Sequence, residues 1–116
     1  MNKDQLFWQN LQDLVNLSQI IIDRPKGSCH PNFPDAPPYP LDYGFLNGTA
    51  SADGEGIDCF CGSLKGKIVV GVLCTVDIMK KDSEMKILID CTDSEMNVAC
   101  EHLNKPSFFK AVLLKK

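Results

Sequence analysis

The densest chemistry in the chain lies in Asp53-Gly54-Glu55-Gly56-Ile57-Asp58. Three carboxylates fall within six residues. Like charges crowded this closely repel one another unless a cation relieves them. The two glycines permit a tight turn with positive φ. Asp58 opens a strand-like run, so its side chain points to one face and that of Cys59 to the other. Hard divalent cations take oxygen ligands, and magnesium keeps several waters besides one or two carboxylates. The segment therefore suits a magnesium loop. It is not an EF-hand, because the ligand spacing differs and no bidentate glutamate closes it. A solvated acidic turn would carry the same residues.

Two further groups could join such a loop. Asp77, Asp82 and Glu84 are followed by Lys86, with Lys80 and Lys81 between. If the flanking strands form a hairpin, its ends bring these side chains together. Carboxylates beside a lysine suit a phosphate held partly by metal and partly by an ammonium. An ordinary charged hairpin tip has the same composition. The other group is Tyr39-Pro40-Leu41-Asp42-Tyr43-Gly44, read as a rigid turn segment. Its two tyrosine hydroxyls can donate to an anion. Aromatic core residues with a wet tip would look alike.

Secondary structure must place these groups. Residues 5–17 carry Phe7, Leu11, Leu14 and Val15 at helical spacing, with Trp8 beside them, which predicts an amphipathic helix covering a sheet. Residues 20–23 form a short β-branched run. Six prolines between Pro25 and Pro40 make the next stretch an ordered loop, neither helix nor central strand. Strands are expected over 57–61, 67–76 and 85–91, with a hairpin turn at 64–66. Thr92 and Glu95 form a capping-box pattern that starts a helix over 93–103. Residues 108–114 read as a last strand or a docked tail. Short antiparallel strands with a helix near each end predict a mainly β, α+β protein: a small barrel with peripheral helices.

Composition excludes several classes. The chain has 116 residues, which fits one domain over 1–116. Its formal charge is -3, with 44% hydrophobic and 23% charged residues, so it carries no basic nucleic-acid footprint. No apolar run approaches the ~20 residues of a membrane span, and no targeting segment is visible, so a soluble cytoplasmic protein is expected. The six cysteines include no CxxC pair and read as reduced structural thiols. Cys59 and Cys61 are expected in the barrel core, alternating with Asp58 and Phe60. His30 sits in the proline loop near the acidic residues, and His102 reads as a surface or boundary residue.

Taken in order, these segments resemble the family I inorganic pyrophosphatases. The resemblance rests on Tyr39 to Leu46, Thr49, and the block from Asp53 to Asp58. Ile21-Ile22-Asp23-Arg24-Pro25, Gly71-Val72-Leu73, Asp77 and Glu84-Met85-Lys86 support it. It implies an OB-like five-stranded β-barrel that hydrolyses pyrophosphate, or a related phosphate compound, with two or more magnesium ions, manganese being able to stand in. Asp53 and Asp58 would hold the metals that activate water, with Asp77 and Glu84 or Asp82 completing the shell. Glu84 is preferred because it keeps the acidic-x-Lys pattern. Glu55 would be the general base, and Asp23 would hold a further metal. Tyr39, Tyr43 and Lys86 would contact phosphate. The resemblance leaves room for a homo-oligomer, since relatives assemble from small barrels.

The departures fall mainly on the cationic half of the site. Asp23 is shorter than the usual glutamate, and Gly56 stands where a proline is common. The second acidic segment is two residues longer. The hairpin that normally carries a phosphate-binding lysine and arginine is replaced by the proline-rich loop, where Arg24, Lys26 or His30 would take over. The C-terminal Tyr-Lys pair is lost at Glu101-His102-Leu103-Asn104. Each lost donor would cost a few kcal/mol of transition-state stabilisation. A weak or inactive barrel that binds metal and phosphate compounds is therefore the alternative function.

Overall fold

Two capping boxes set the helix starts. In the computed structural model, which describes residues 1–52 and 54–116, the Asn2 side chain accepts from the Gln5 N–H and the Gln5 side chain accepts from the Asn2 N–H, both at 2.9 Å. Helix α1 (Lys3–Asn16) follows. The expected Thr92–Glu95 box opens α2 (Asp93–Asn104) in the same way. Glu95 also accepts from the Ser63 N–H and hydroxyl, which ties the helix start to a distant loop. The Thr92 N–H foremost, with these bonds, holds its carboxyl below the usual range.

Six strands make one sheet: β1 (Gln19–Arg24), β2 (Asp42–Asn47), β3 (Ile57–Cys61), β4 (Val69–Asp77), β5 (Asp82–Ile89) and β6 (Phe109–Lys115). Their order is β1-β2-β3-β5-β4-β6. All neighbours are antiparallel except β3 and β5, which run parallel. The architecture is mainly β with flanking helices, as expected, and OB-like. The strand count is six rather than five, and β1 and β6 stand at opposite ends of the order, so the sheet is an open one and only approximates a barrel. The additional strand is β2, which occupies much of the segment expected to be a rigid turn.

The expectation of a hairpin turn at 64–66 is overturned. The turn geometry is present, with φ of 112° at Gly66 and 61° at Lys67. Yet β3 and β4 are not partners, because β5 lies between them. The segment is a crossover. The true hairpin is β4–β5, where Asp77 faces Asp82.

Each face of the sheet carries one apolar cluster. Leu46, Cys59, Val72 and Ile87 lie under Leu11 and Val15 of α1, with Trp8 and Leu14 packed alongside. Tyr43, Phe60, Leu73 and Leu88 lie under Met96 and Ala99 of α2. Alternation along β3 thus buries both Cys59 and Phe60 completely. Cys59 was expected inside and is; Phe60 is equally buried because the sheet is covered twice. Gln12 pins α1 to the sheet: its Nε2 donates to the Lys67 carbonyl and its Oε1 accepts from the Val69 N–H, both at 2.9 Å. Among the described residues no helix is long and apolar enough to cross a membrane.

Gly44 of β2 lies close against the Ile21–Ile22 backbone of β1. A Cβ there would run into the Ile21 carbonyl and approach Ile22 Cα within 2.9 Å. Backbone has no rotamer by which to give way. Gly44→Ala should therefore lower the unfolding free energy by about 3 kcal/mol, read from urea unfolding, whereas a freely adapting site would lose under about 1 kcal/mol.

Candidate functional site

Alternation along the strands places Tyr43 of β2, Asp58 of β3, and Glu84 and Lys86 of β5 on the face that α2 covers at one end. The parallel pairing Cys59↔Ile87 sets Asp58 beside Lys86. The Lys86 ammonium donates to the Tyr43 hydroxyl at 2.8 Å, to Asp58 Oδ2 at 3.1 Å and to Glu84 Oε2 at 3.3 Å. The Tyr43 hydroxyl donates to Asp58 Oδ2 at 2.6 Å. Lys86 is only 6% exposed, so these bonds are made largely out of water, where they are strong and where a missing partner is costly. Burial first, then the charge of Asp58, pushes the Tyr43 hydroxyl well above its usual range, so it remains a donor.

A file of rings continues from this cluster. Tyr43 packs edge-on against Phe60 at 4.8 Å and tilted against Tyr39 at 5.1 Å, and Tyr39 packs tilted against His102 at 5.5 Å. The Arg24 guanidinium lies 5.7 and 5.8 Å from the Tyr39 and Tyr43 ring centres, within cation–π range. It also donates to the Tyr39 hydroxyl at 2.6 Å. Arg24 is placed there by a bulge between Ile22 and Arg24 that shifts its register onto Tyr43. Nothing in the sequence signalled the bulge or the seat of His102 on Tyr39.

The other expected residues are placed as follows. Asp53 lies outside the described residues. Glu55 is exposed in the β2–β3 connection, where its carbonyl accepts from the Ser51 N–H and hydroxyl. Asp77 is buried at the end of β4, and its Oδ1 accepts from the Met79 and Lys80 N–H groups, so it caps the hairpin turn. Asp82 faces Asp77 across the hairpin, whereas Glu84 reaches Lys86. Asp23 is exposed at the β1 bulge. The Lys26 N–H donates to Asp42 Oδ1, and Lys26 lines a separate cavity of about 150 Å³ with Asp42, Cys61 and Glu95. The structure thus brings Tyr43, Asp58, Glu84 and Lys86 together, with Arg24 and Tyr39 adjoining. It does not bring Asp23 or Lys26 to them.

His30 lies in the proline loop, with its ring on Phe33 and its Nδ1 accepting from the Asn32 N–H. Burial first, then the charges of Arg24 and Lys80, lowers its pKa. All six cysteines are free thiols. Burial pushes Cys91 up to about 12, which keeps it protonated and inert. Among the described residues, no three His, Cys, Asp or Glu side chains converge as a metal-ligand group. Asp58 and Glu84 both accept from the Lys86 ammonium.

His102 gives the site a pH signature. Burial first, then Lys105, lowers its pKa in the folded chain. The folded state therefore resists protonation that the unfolded chain accepts near pH ~6.5. Its contribution is fully present above that pH and is lost as pH falls through the lower folded value. His30 is shifted in the same direction. The urea midpoint should fall between pH 6.5 and 5, and His102→Gln should remove part of that fall. An unchanged slope in the variant would show that His102 is not protonated against a cost.

No protein-family model and no curated protein matches the chain in sequence. Solved structures do match its fold. An inorganic pyrophosphatase from Coxiella burnetii aligns with a TM-score of 0.55 at 15% identity, over 72% of this chain and 67% of that one. One from Neisseria gonorrhoeae aligns with a TM-score of 0.54 at 17% identity, over 84% and 75% of the two chains. An inorganic phosphatase from Anaplasma phagocytophilum aligns with a TM-score of 0.52 at 19% identity, over 83% and 73%. At such identities the likeness is one of architecture: this chain has the fold of those bacterial phosphate-cleaving proteins.

Proposed function

We propose that the chain hydrolyses inorganic pyrophosphate, or a related phosphoanhydride, to two phosphates with the help of divalent metal, magnesium or manganese. The bonded cluster of Tyr43, Asp58, Glu84 and Lys86 carries this reading. It lies on a fold shared with inorganic pyrophosphatases from Coxiella burnetii and Neisseria gonorrhoeae.

The donor set fits a hard cation. Asp58 Oδ2 and Glu84 Oε2 already flank one positive charge, that of Lys86. Oxygen ligands of this kind suit magnesium or manganese. Asp58 and Glu84 would hold the metal, Asp53 would add a ligand from the same acidic sequence block as Asp58, and Asp77 would lend the oxygen not used by its turn. A bound metal supplies an acidified water and neutralises charge on the leaving phosphate. Little covalent chemistry then falls to the chain, and positioning dominates. Arg24, Tyr43 and Lys86 would hold phosphate oxygens, Tyr39 would orient Arg24, and Glu55 would accept the proton of the attacking water.

One observation favours a second reading, a barrel that binds metal and phosphate compounds without turnover. The end of α2 offers His102, packed on Tyr39 from the segment before β2, where the family pattern has a tyrosine and lysine for phosphate. Phosphate release from pyrophosphate with magnesium or manganese decides between them. Release is expected, and Asp58→Asn should slow it by about a hundredfold or more. No release at protein concentrations far above contaminant level, together with calorimetric binding of pyrophosphate, would establish the second reading. Neither release nor binding would end both.

A further inference from the structure

A lysine ammonium has three N–H donors and no acceptor. Those of Lys86 have three partners: the Tyr43 hydroxyl at 2.8 Å, Asp58 Oδ2 at 3.1 Å and Glu84 Oε2 at 3.3 Å. Every donor is spent. In this state Lys86 has no N–H left for a phosphate, although its position makes it the nearest cation to one bound at Tyr43. It can serve an anion only after releasing a partner. Releasing a carboxylate without replacement would leave a largely buried negative charge uncompensated, since the Glu84 side chain is only 14% exposed. A second cation must take over.

We infer that Lys86 is a resident counter-cation, which holds Asp58 and Glu84 together without metal and is displaced from them when a divalent ion binds. The inference rests on the metal reading given above. With Lys86 in place, the two carboxylates and the ammonium sum to one negative charge. A divalent ion added beside them turns the sum positive. It would repel the ammonium, since nearby like charges interact strongly inside a protein. Magnesium also sits far closer to a carboxylate oxygen, about 2.1 Å, than the ammonium does. The exchange therefore runs toward metal on the carboxylates and a freed ammonium. The strand geometry lets it happen without unfolding, because Lys86 needs only to rotate about its own side chain. The donors of Lys86 thus become available to phosphate when the metal arrives.

Magnesium chloride alone, added to the full chain, is the probe. The Lys86 ammonium resonance is read in protein labelled with ¹⁵N-lysine and identified by its loss in Lys86→Arg. It should shift or broaden as magnesium saturates the site. By calorimetry Lys86→Met should bind magnesium at least about tenfold more tightly than the natural chain, since a competing charge is gone. Magnesium should also raise the urea midpoint of that variant more than that of the natural chain. If the natural chain binds magnesium while the Lys86 resonance stays in place, or if Lys86→Met binds no more tightly, the exchange is wrong and the metal reading stands. If neither chain binds magnesium at millimolar concentration, the metal reading falls and the exchange falls with it. If Lys86→Met does not fold, the resonance in the natural chain decides alone.

Discussion

A lysine ammonium 6% exposed on a central strand sets the terms for the residues around it. Left unpaired in such a place, a charge would neutralise or unfold its surroundings. Lys86 on β5 therefore requires acceptors on every side that its strand faces. Glu84 comes from the same strand two residues earlier. Asp58 comes from β3, and only because β3 runs parallel to β5 in the register that places Cys59 against Ile87. Tyr43 comes from β2, one strand further out. The parallel pair in turn obliges the chain to cross over from β3 to β4 before returning along β5. Topology and charge pairing are here two views of one arrangement.

That arrangement is a poor way to gain stability. Apolar residues of similar volume in place of a buried ion pair are often neutral or stabilising, while deleting one partner is costly. The cluster also adjoins a well-packed apolar core of Phe60, Leu73 and Leu88, none of them exposed. Continuing that core would have required no charge at all. Local rules are broken in this way mainly where function demands it. The same reasoning separates the cluster from Asp90, whose two carboxylate oxygens accept from the Lys67 and Ile68 N–H groups. Asp90 closes a turn, and its partners are all backbone.

Much of this was legible in the sequence, for identifiable reasons. Helix α1 announced itself through periodicity, and α2 through Thr92 and Glu95. Tyr43, Asp58, Glu84 and Lys86 were singled out because each residue type carried its own chemistry. Their convergence was expected only through the family resemblance, since it depends on the β3–β5 pairing, which leaves no local mark. Strand β2 was hidden because Tyr43-Gly44 has turn-like composition. The glycine is there to let Ile21 of β1 approach, which is a tertiary requirement. The turn signals at 64–66 were correctly read as a turn and wrongly read as a hairpin, because a turn does not name its strand's partner. Gln12 is polar and lies off the apolar stripe of α1, yet it serves the backbone at the start of β4. Such a bond follows from where the helix docks and not from its own pattern.

The structure also qualifies the view that the cationic half of the site is depleted. The proline-rich segment is tied at its base, where the Gly27 N–H donates to the Tyr39 carbonyl at 2.8 Å and the Tyr39 N–H to the Ser28 carbonyl at 3.0 Å. Its course sets His30 under the influence of Arg24 and of Lys80 from the β4–β5 turn. Burial foremost, and then these charges, oppose the protonation of His30. Arg24 is itself anchored by the Tyr39 hydroxyl and by two ring faces, so it cannot simply swing away. An anion near Arg24 would relieve that opposition and draw His30 toward its charged form. Arg24, at the end of β1 where the loop begins, therefore still brings positive charge to the edge of the Tyr39–Tyr43 pair, by a different route along the chain.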